Sequence, residues 1–205
     1  MAHKKVYLIR HGKTLGNVEK RYVGRRTDEE LSEEGIKDTN EMLGSISKLI
    51  ADRVDRVCSS PMKRAVQTAE ILFGDYVPET IDNLVEIDFG VFEGKNYEEL
   101  NGDETYQKWI DSNGTMDIPD GESREDFISR SYEGFCEALG EKDKDENIVI
   151  VCHGGNIMSI LSRLTGDDYY DFMTETLGGY VLELETNDEG INVISYHKLR
   201  AGDNS

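Results

Sequence analysis

Cations are scarce in this chain. Lys and Arg number 23 against 42 Asp and Glu, for a formal net charge of −19. A field of that sign disfavours nucleic acid and anionic membrane surfaces and favours solubility. Cysteine is scarce as well. Cys58, Cys136 and Cys152 form an odd set without close pairs, which fits reduced thiols better than a disulfide framework. No Cys-x-x-Cys or His-x-His spacing occurs, so a metal site is not expected. No apolar run approaches the roughly 18 residues of a membrane span. The opening Met1-Ala2-His3-Lys4-Lys5 leads straight into the run Val6 to Ile9, which is shorter than the apolar region of a secretory leader. The expected location is therefore the cytoplasm. Internal repeats, long linkers and low-complexity segments are missing too. One core and a single domain over 1–205 are expected at this length.

Two apolar runs end in the same way. Val6 to Ile9 stops at Arg10-His11-Gly12, and Ile148 to Cys152 stops at His153-Gly154-Gly155. A strand interior rarely holds Arg beside His, so both histidines belong at strand ends. The unbroken apolarity of 148–152 implies a strand buried on both faces, as at the centre of a parallel sheet. Helical spacing of Ile36, Leu43, Ile46 and Ile50 places a helix over about 33 to 50, with Ser32 as its cap. A short strand around 54–58 follows. Ser60-Pro61 then reads as cap and first residue of a helix carrying Arg64 in its first turn. That strand is expected beside the first one.

The stretch from 86 to 121 is irregular, with a polar, aromatic helical segment over 97–110, and reads as a lid or substrate-selecting insertion. A helix to Leu139 shows Ile128, Tyr132, Phe135 and Leu139 on one face and ends at Gly140. The tail holds two strands, at 180–184 and 191–196, expected as an antiparallel edge pair. Alternating strands and helices predict an α/β sandwich on a mostly parallel sheet, with ligands outside the carboxyl ends of the strands.

Arg10, His11, Arg64 and His153 suit phosphoryl transfer. A neutral imidazole attacks phosphorus and leaves again, planar guanidiniums hold the equatorial oxygens, and a second imidazole adds charge at a helix start. The reaction also needs a carboxylic acid of raised pKa. Glu86 is the candidate, because Leu84, Val85, Ile87 and Phe89 around it would desolvate it; a plain surface glutamate is the competing reading. Further cations, Lys13, Arg21, Arg25 and Arg26, cluster early and read as a basic patch. Cys58 stands six residues before Arg64, the spacing of a cysteine-dependent phosphatase loop. Pro61 and the absence of glycine there argue against that loop.

Leu8-Ile9-Arg10-His11-Gly12-Lys13-Thr14 with Asn17 resembles the signature of the histidine phosphatase (phosphoglycerate mutase-like) superfamily. Ser59-Ser60-Pro61-Met62-Lys63-Arg64-Ala65 resembles its second arginine block, 86–94 its acid block, and Val151-Cys152-His153-Gly154-Gly155 its second histidine block. The resemblance implies a three-layer α/β/α fold, no cofactor, and a small phosphorylated metabolite as partner. It implies His11 as phosphorylated nucleophile and Glu86 as acid and then base. Arg10, Arg64, His153 and Gly154 would line the phosphate pocket, and Asn17 would help hold the phosphoryl group. The 86–94 stretch is closer to the small phosphatases, of the α-ribazole and broad phosphomonoesterase kind, than to the mutases. Mutase-type transfer and a non-catalytic phosphate-binding regulator remain as alternatives. Lys13 departs from the glutamate or glutamine common after His-Gly, and would add positive charge at the rim. Monomer and homodimer both remain open.

Overall fold

The computed structural model describes residues 1–49 and 54–199. Six strands form its sheet: β1 (Ala2–Arg10), β2 (Arg56–Ser59), β3 (Glu79–Thr80), β4 (Glu146–Cys152), β5 (Gly179–Asn187) and β6 (Gly190–Leu199). Their order is β3-β2-β4-β1-β5-β6. The first four are mutually parallel, while β5 runs antiparallel to both β1 and β6. The sheet is thus mixed and mostly parallel, as the alternating elements predict. The tail strands do pair at one edge, but β2 neighbours β4 and not β1.

Successive strand side chains point to opposite faces, and both faces here are apolar. Val6, Leu8, Ile148 and Ile150 meet α6 (Arg124–Leu139) and α7 (Gly154–Thr165) through Phe135, Ala138, Ile157 and Ile160. Tyr7, Ile9, Val149 and Val151 meet α2 (Glu33–Leu49) and α3 (Lys63–Leu72) through Met42, Ile46, Ala65 and Ala69. Full burial of each such aliphatic side chain contributes about 1.5–3 kcal/mol. This double coverage explains why β4 carries no polar alternation.

Several local expectations shift. On α2 the buried positions among those described are Gly35, Thr39, Met42 and Ile46, while Ile36 is exposed and Leu43 half-buried; Ile50 lies outside the described residues. On α6 the inward face is Phe127, Ser131, Gly134, Phe135, Ala138 and Leu139, so Phe135 and Leu139 are buried as expected while Ile128 and Tyr132 are half-buried. That rotation lets Ser131 Oγ accept a hydrogen bond from Asn156 of α7 at 2.9 Å. Gly140 ends α6 at φ +64°, a conformation that other residues adopt only with strain. The segment 97–110 is two helices, α4 (Tyr97–Leu100) and α5 (Glu104–Asp111), parted at Gly102 with φ +89°. A separate aromatic cluster of Phe92, Tyr106, Ile118 and Leu100, joined by Tyr22, Phe89 and Trp109, holds this excursion together.

Candidate active site

Register brings the two histidines together. Arg10 of β1 pairs with Cys152 of β4, and the next residue's amide, His11 N–H, donates to Cys152 O at 3.0 Å. His11 and His153 therefore leave adjacent parallel strands at one level, with ring centroids 5.0 Å apart. Ser60 leaves β2 at the same rim, its N–H donating to Val151 O at 2.9 Å.

The hydrogen bonds assign each ring its tautomer. His11 Nδ1 lies 2.6 Å from Gly12 O, which only accepts, so Nδ1 carries the proton. The lone pair is left on Nε2, where Arg64 Nε donates at 3.2 Å. The same Arg64 N–H reaches His153 Nδ1 at 3.2 Å, so the His153 proton is on Nε2, 2.8 Å from Ser60 Oγ. Both rings are buried. Desolvation first, then the Arg64 and Arg10 charges, hold both well below the usual histidine pKa. Neutral imidazole is thus the resting form of each.

Arg64 is fully buried, its guanidinium also donating to Thr27 O at 2.9 Å and to Val23 O and Gly24 O. Thr68, one turn later, bonds Arg64 O and accepts from Gly12 N–H at 3.0 Å, tying the loop after His11 to α3. Arg10 donates through Nη1 to Thr174 O at 2.8 Å, while its buried Nε has no hydrogen-bond partner. An orphaned buried donor costs stability, and an anion oxygen would satisfy it. Gly154 opens α7 beside this guanidinium: a Cβ there would lie 3.5 Å from Arg10 Cζ and Nε.

Glu86 is buried, contrary to the surface alternative. Its Oε1 accepts from Ile87 N–H at 3.0 Å and its Oε2 from Gly155 N–H at 3.4 Å. Desolvation raises its pKa, outweighing those bonds and the attraction of Arg64 and Arg10. Gly155 is fitted to this carboxyl, since an added Cβ would fall 2.4 Å from Glu86 Oε1. Asn17 closes a capping box with Thr14, accepting Thr14 N–H at 3.1 Å, at the start of α1 (Leu15–Val18). It lines an open depression together with Arg10.

The early basic patch does not converge on this centre. Lys13 Nζ binds Glu34 and Asp38 at 2.6 and 2.9 Å. Arg21 binds Glu19 and Glu99, both at 2.6 Å, and Arg26 binds Asp88 at 2.8 Å and Asp120 O. Arg21 and Arg26 strap the first loop to the 86–121 excursion, and Lys13 is at the rim but neutralised. Arg25 is exposed, its backbone N–H donating to Ile87 O at 3.0 Å. The cysteine reading fails on environment: Cys58 is fully buried in the core, which pushes its thiol up to about 11, the opposite of a reactive thiolate.

Ser60 is the residue local reasoning misplaced. Helix α3 starts at Lys63 after Met62, and Ser60 Oγ serves Met62 N–H and His153 instead of capping the helix. Its position after a strand end, like that of His11 and His153, was the available signal.

A buried neutral imidazole with two guanidiniums and a desolvated carboxyl is a set of groups chemically suited to phosphoryl transfer. The profile of the Histidine phosphatase superfamily (branch 1) matches residues 6–197, and the chain belongs to that family. It is thus a phosphatase- and mutase-like hydrolase. Phosphoglycerate mutase-like protein 4 of Arabidopsis thaliana is 30% identical over 166 residues, 78% of this chain and 71% of that protein. A phosphoserine phosphatase mutant from Entamoeba histolytica, in complex with phosphoserine, matches with a TM-score of 0.75 at 28% identity. That match covers 94% of this chain and 96% of the other. The α-ribazole phosphatase of Shigella flexneri matches with a TM-score of 0.76 at 26% identity, covering 97% and 96%.

Proposed function

We propose that this protein hydrolyses a small phosphomonoester, without a metal, through a phosphohistidine on His11. In the first step His11 Nε2 forms a bond to phosphorus and the ester P–O bond breaks. The leaving alkoxide takes the proton of Glu86. In the second, Glu86 as carboxylate takes a proton from water, whose oxygen attacks phosphorus. The N–P bond breaks, and phosphate leaves with Glu86 protonated again. Arg10 and Arg64 balance charge on the equatorial oxygens, and His153, its Nε2–H held by Ser60, keeps the shared Arg64 N–H in place opposite the nucleophile.

The observation that carries this reading is the tautomer of His11. Its Nδ1 proton is spent on Gly12 O, so the lone pair is on Nε2, where it accepts from Arg64 and lies beside His153. The raised pKa of Glu86 supports the acid role. Rapid acid and alkaline quenching of a turnover with 32P-labelled phosphomonoester tests it. The expected product is one acid-labile, alkali-stable label per chain, absent in His11→Ala together with turnover. A His11→Ala enzyme retaining more than about a tenth of wild-type kcat would refute the nucleophile, given the roughly million-fold losses seen when nucleophiles are removed.

A further inference from the structure

Where the acid stands fixes where the substrate's body goes. The leaving oxygen must sit beside the group that protonates it, so the alcohol extends past Glu86. A cavity of about 190 Å³ opens there, with Glu86 and Gly155 in its wall. Aromatic rings supply much of the rest: Tyr22, Phe89, Trp109 and Tyr169, with Met116 and Met158 between them. Tyr22 meets Phe89 at 5.1 Å and Trp109 at 5.7 Å between centroids, so these rings hold one another in place.

Of the charged groups in this wall, Glu122 is paired with a base and Arg124 is stacked on the wall's own rings. Glu122 accepts from Arg130 Nε at 2.9 Å and Nη2 at 2.8 Å. Arg124 lies over the Tyr169 ring at 4.3 Å and donates to Asn113 O at 2.9 Å. Burial favours the neutral form of Glu86. An ammonium on the substrate body would enter with its hydration lost and no free carboxylate to pair with. On the other side of the centre, Lys13 and Arg21 in the open depression are paired with acids, and the exposed Lys20 lies in the same lining.

We infer that the cavity beside Glu86 takes the alcohol of the substrate and selects an aromatic alcohol that carries no ammonium group. This rests on the phosphohistidine reading, because Glu86 as proton donor is what places the alcohol there.

Three esters of primary alcohols test it, so that leaving-group acidity does not decide the result: 2-phenylethyl phosphate, glycerol 3-phosphate and O-phosphoserine. The expected kcat/KM favours 2-phenylethyl phosphate by about 30-fold or more, the scale set by burying one ring. Met116→Asp, which puts a carboxylate into the half-buried wall, lowers the 2-phenylethyl phosphate value about tenfold more than the glycerol 3-phosphate value. Equal or better turnover of O-phosphoserine or glycerol 3-phosphate by wild type, still abolished in His11→Ala, overturns the selectivity and leaves the phosphohistidine standing. If none of the three is hydrolysed, the proposed function fails, and calorimetric Kd values on His11→Ala then judge the cavity alone. Tighter binding of 2-phenylethyl phosphate supports it, and equal binding of the three overturns it.

Discussion

Replacing Glu86 by glutamine separates the two half-reactions. Gln is isosteric and its carbonyl can keep the 3.0 Å bond from Ile87 N–H; the bond it forfeits is the longer one, 3.4 Å, from Gly155 N–H. Folding is preserved, and the sign of the stability change follows from the titration. The folded-state pKa of Glu86 is raised, so its contribution to stability is fully present below the unfolded value and is lost as pH rises through the folded one. Glu86→Gln removes that dependence, so its stability relative to wild type grows as pH rises from 4 to 7. Catalysis moves the other way. General acid–base assistance contributes about 10²–10⁴-fold, or about 3–5 kcal/mol of barrier, and alkyl phosphates should lose that much in kcat/KM. With 4-nitrophenyl phosphate the leaving group needs little protonation, so phosphorylation of His11 stays fast while water attack stays slow. Stopped-flow absorbance should then show a burst of about one nitrophenolate per chain, a stoichiometry that follows from the single nucleophile proposed. Loss of both substrates in equal measure, with no burst and no accumulated phosphohistidine, would refute the proton role.

Ser60→Ala removes the acceptor of His153 Nε2–H and should cost about tenfold in kcat/KM, since a buried donor left unpaired costs about 1–3 kcal/mol; 15N NMR of the ring should show Nε2–H no longer dominant, and an unchanged tautomer would contradict the assignment. Gly155→Ala drives a methyl against Glu86 Oε1 and to 2.8 Å from Phe127 Cε1, so calorimetry should find about 1–3 kcal/mol of destabilisation, and an unaltered Tm would show that the wall yields. Lys13→Ala should leave KM within about twofold, because an exposed ammonium already paired with Glu34 and Asp38 gives little to a distant anion through solvent; a tenfold rise would place its charge on the substrate. The pH profile of kcat/KM should rise on a limb well below 6.5, the lowered pKa of His11, and fall on an alkaline limb set by the raised pKa of Glu86; an acid limb at the ordinary histidine value would mean that the imidazole is solvated.

What the sequence made legible was written locally, and what it hid depends on distant partners. The two His-Gly strand ends could be read because an apolar run stops at a polar pair within a few residues. Their 5.0 Å approach depends on β1 and β4 pairing across some 140 residues of chain, which a family pattern implies and periodicity does not. Ser60 looks like a helix cap in its own neighbourhood, and a tertiary demand from His153 overrides that preference. The early cations were harder still. Arg21 finds Glu99 and Arg26 finds Asp88 on the far side of a fold-level contact, and in a chain with 42 acids for 23 cations most exposed bases will meet a carboxylate. The cations left for an anion are those buried where their hydrogen bonds go to carbonyls and imidazoles, as with Arg10 and Arg64. Among the acids that act on them, Glu86 has the largest effect on both guanidiniums, and its burial favours its neutral form. An acidic protein thereby keeps a positive site in part by desolvating the carboxyl with the largest effect on it, and in the proposed mechanism the same desolvation supplies the proton that the leaving alcohol needs.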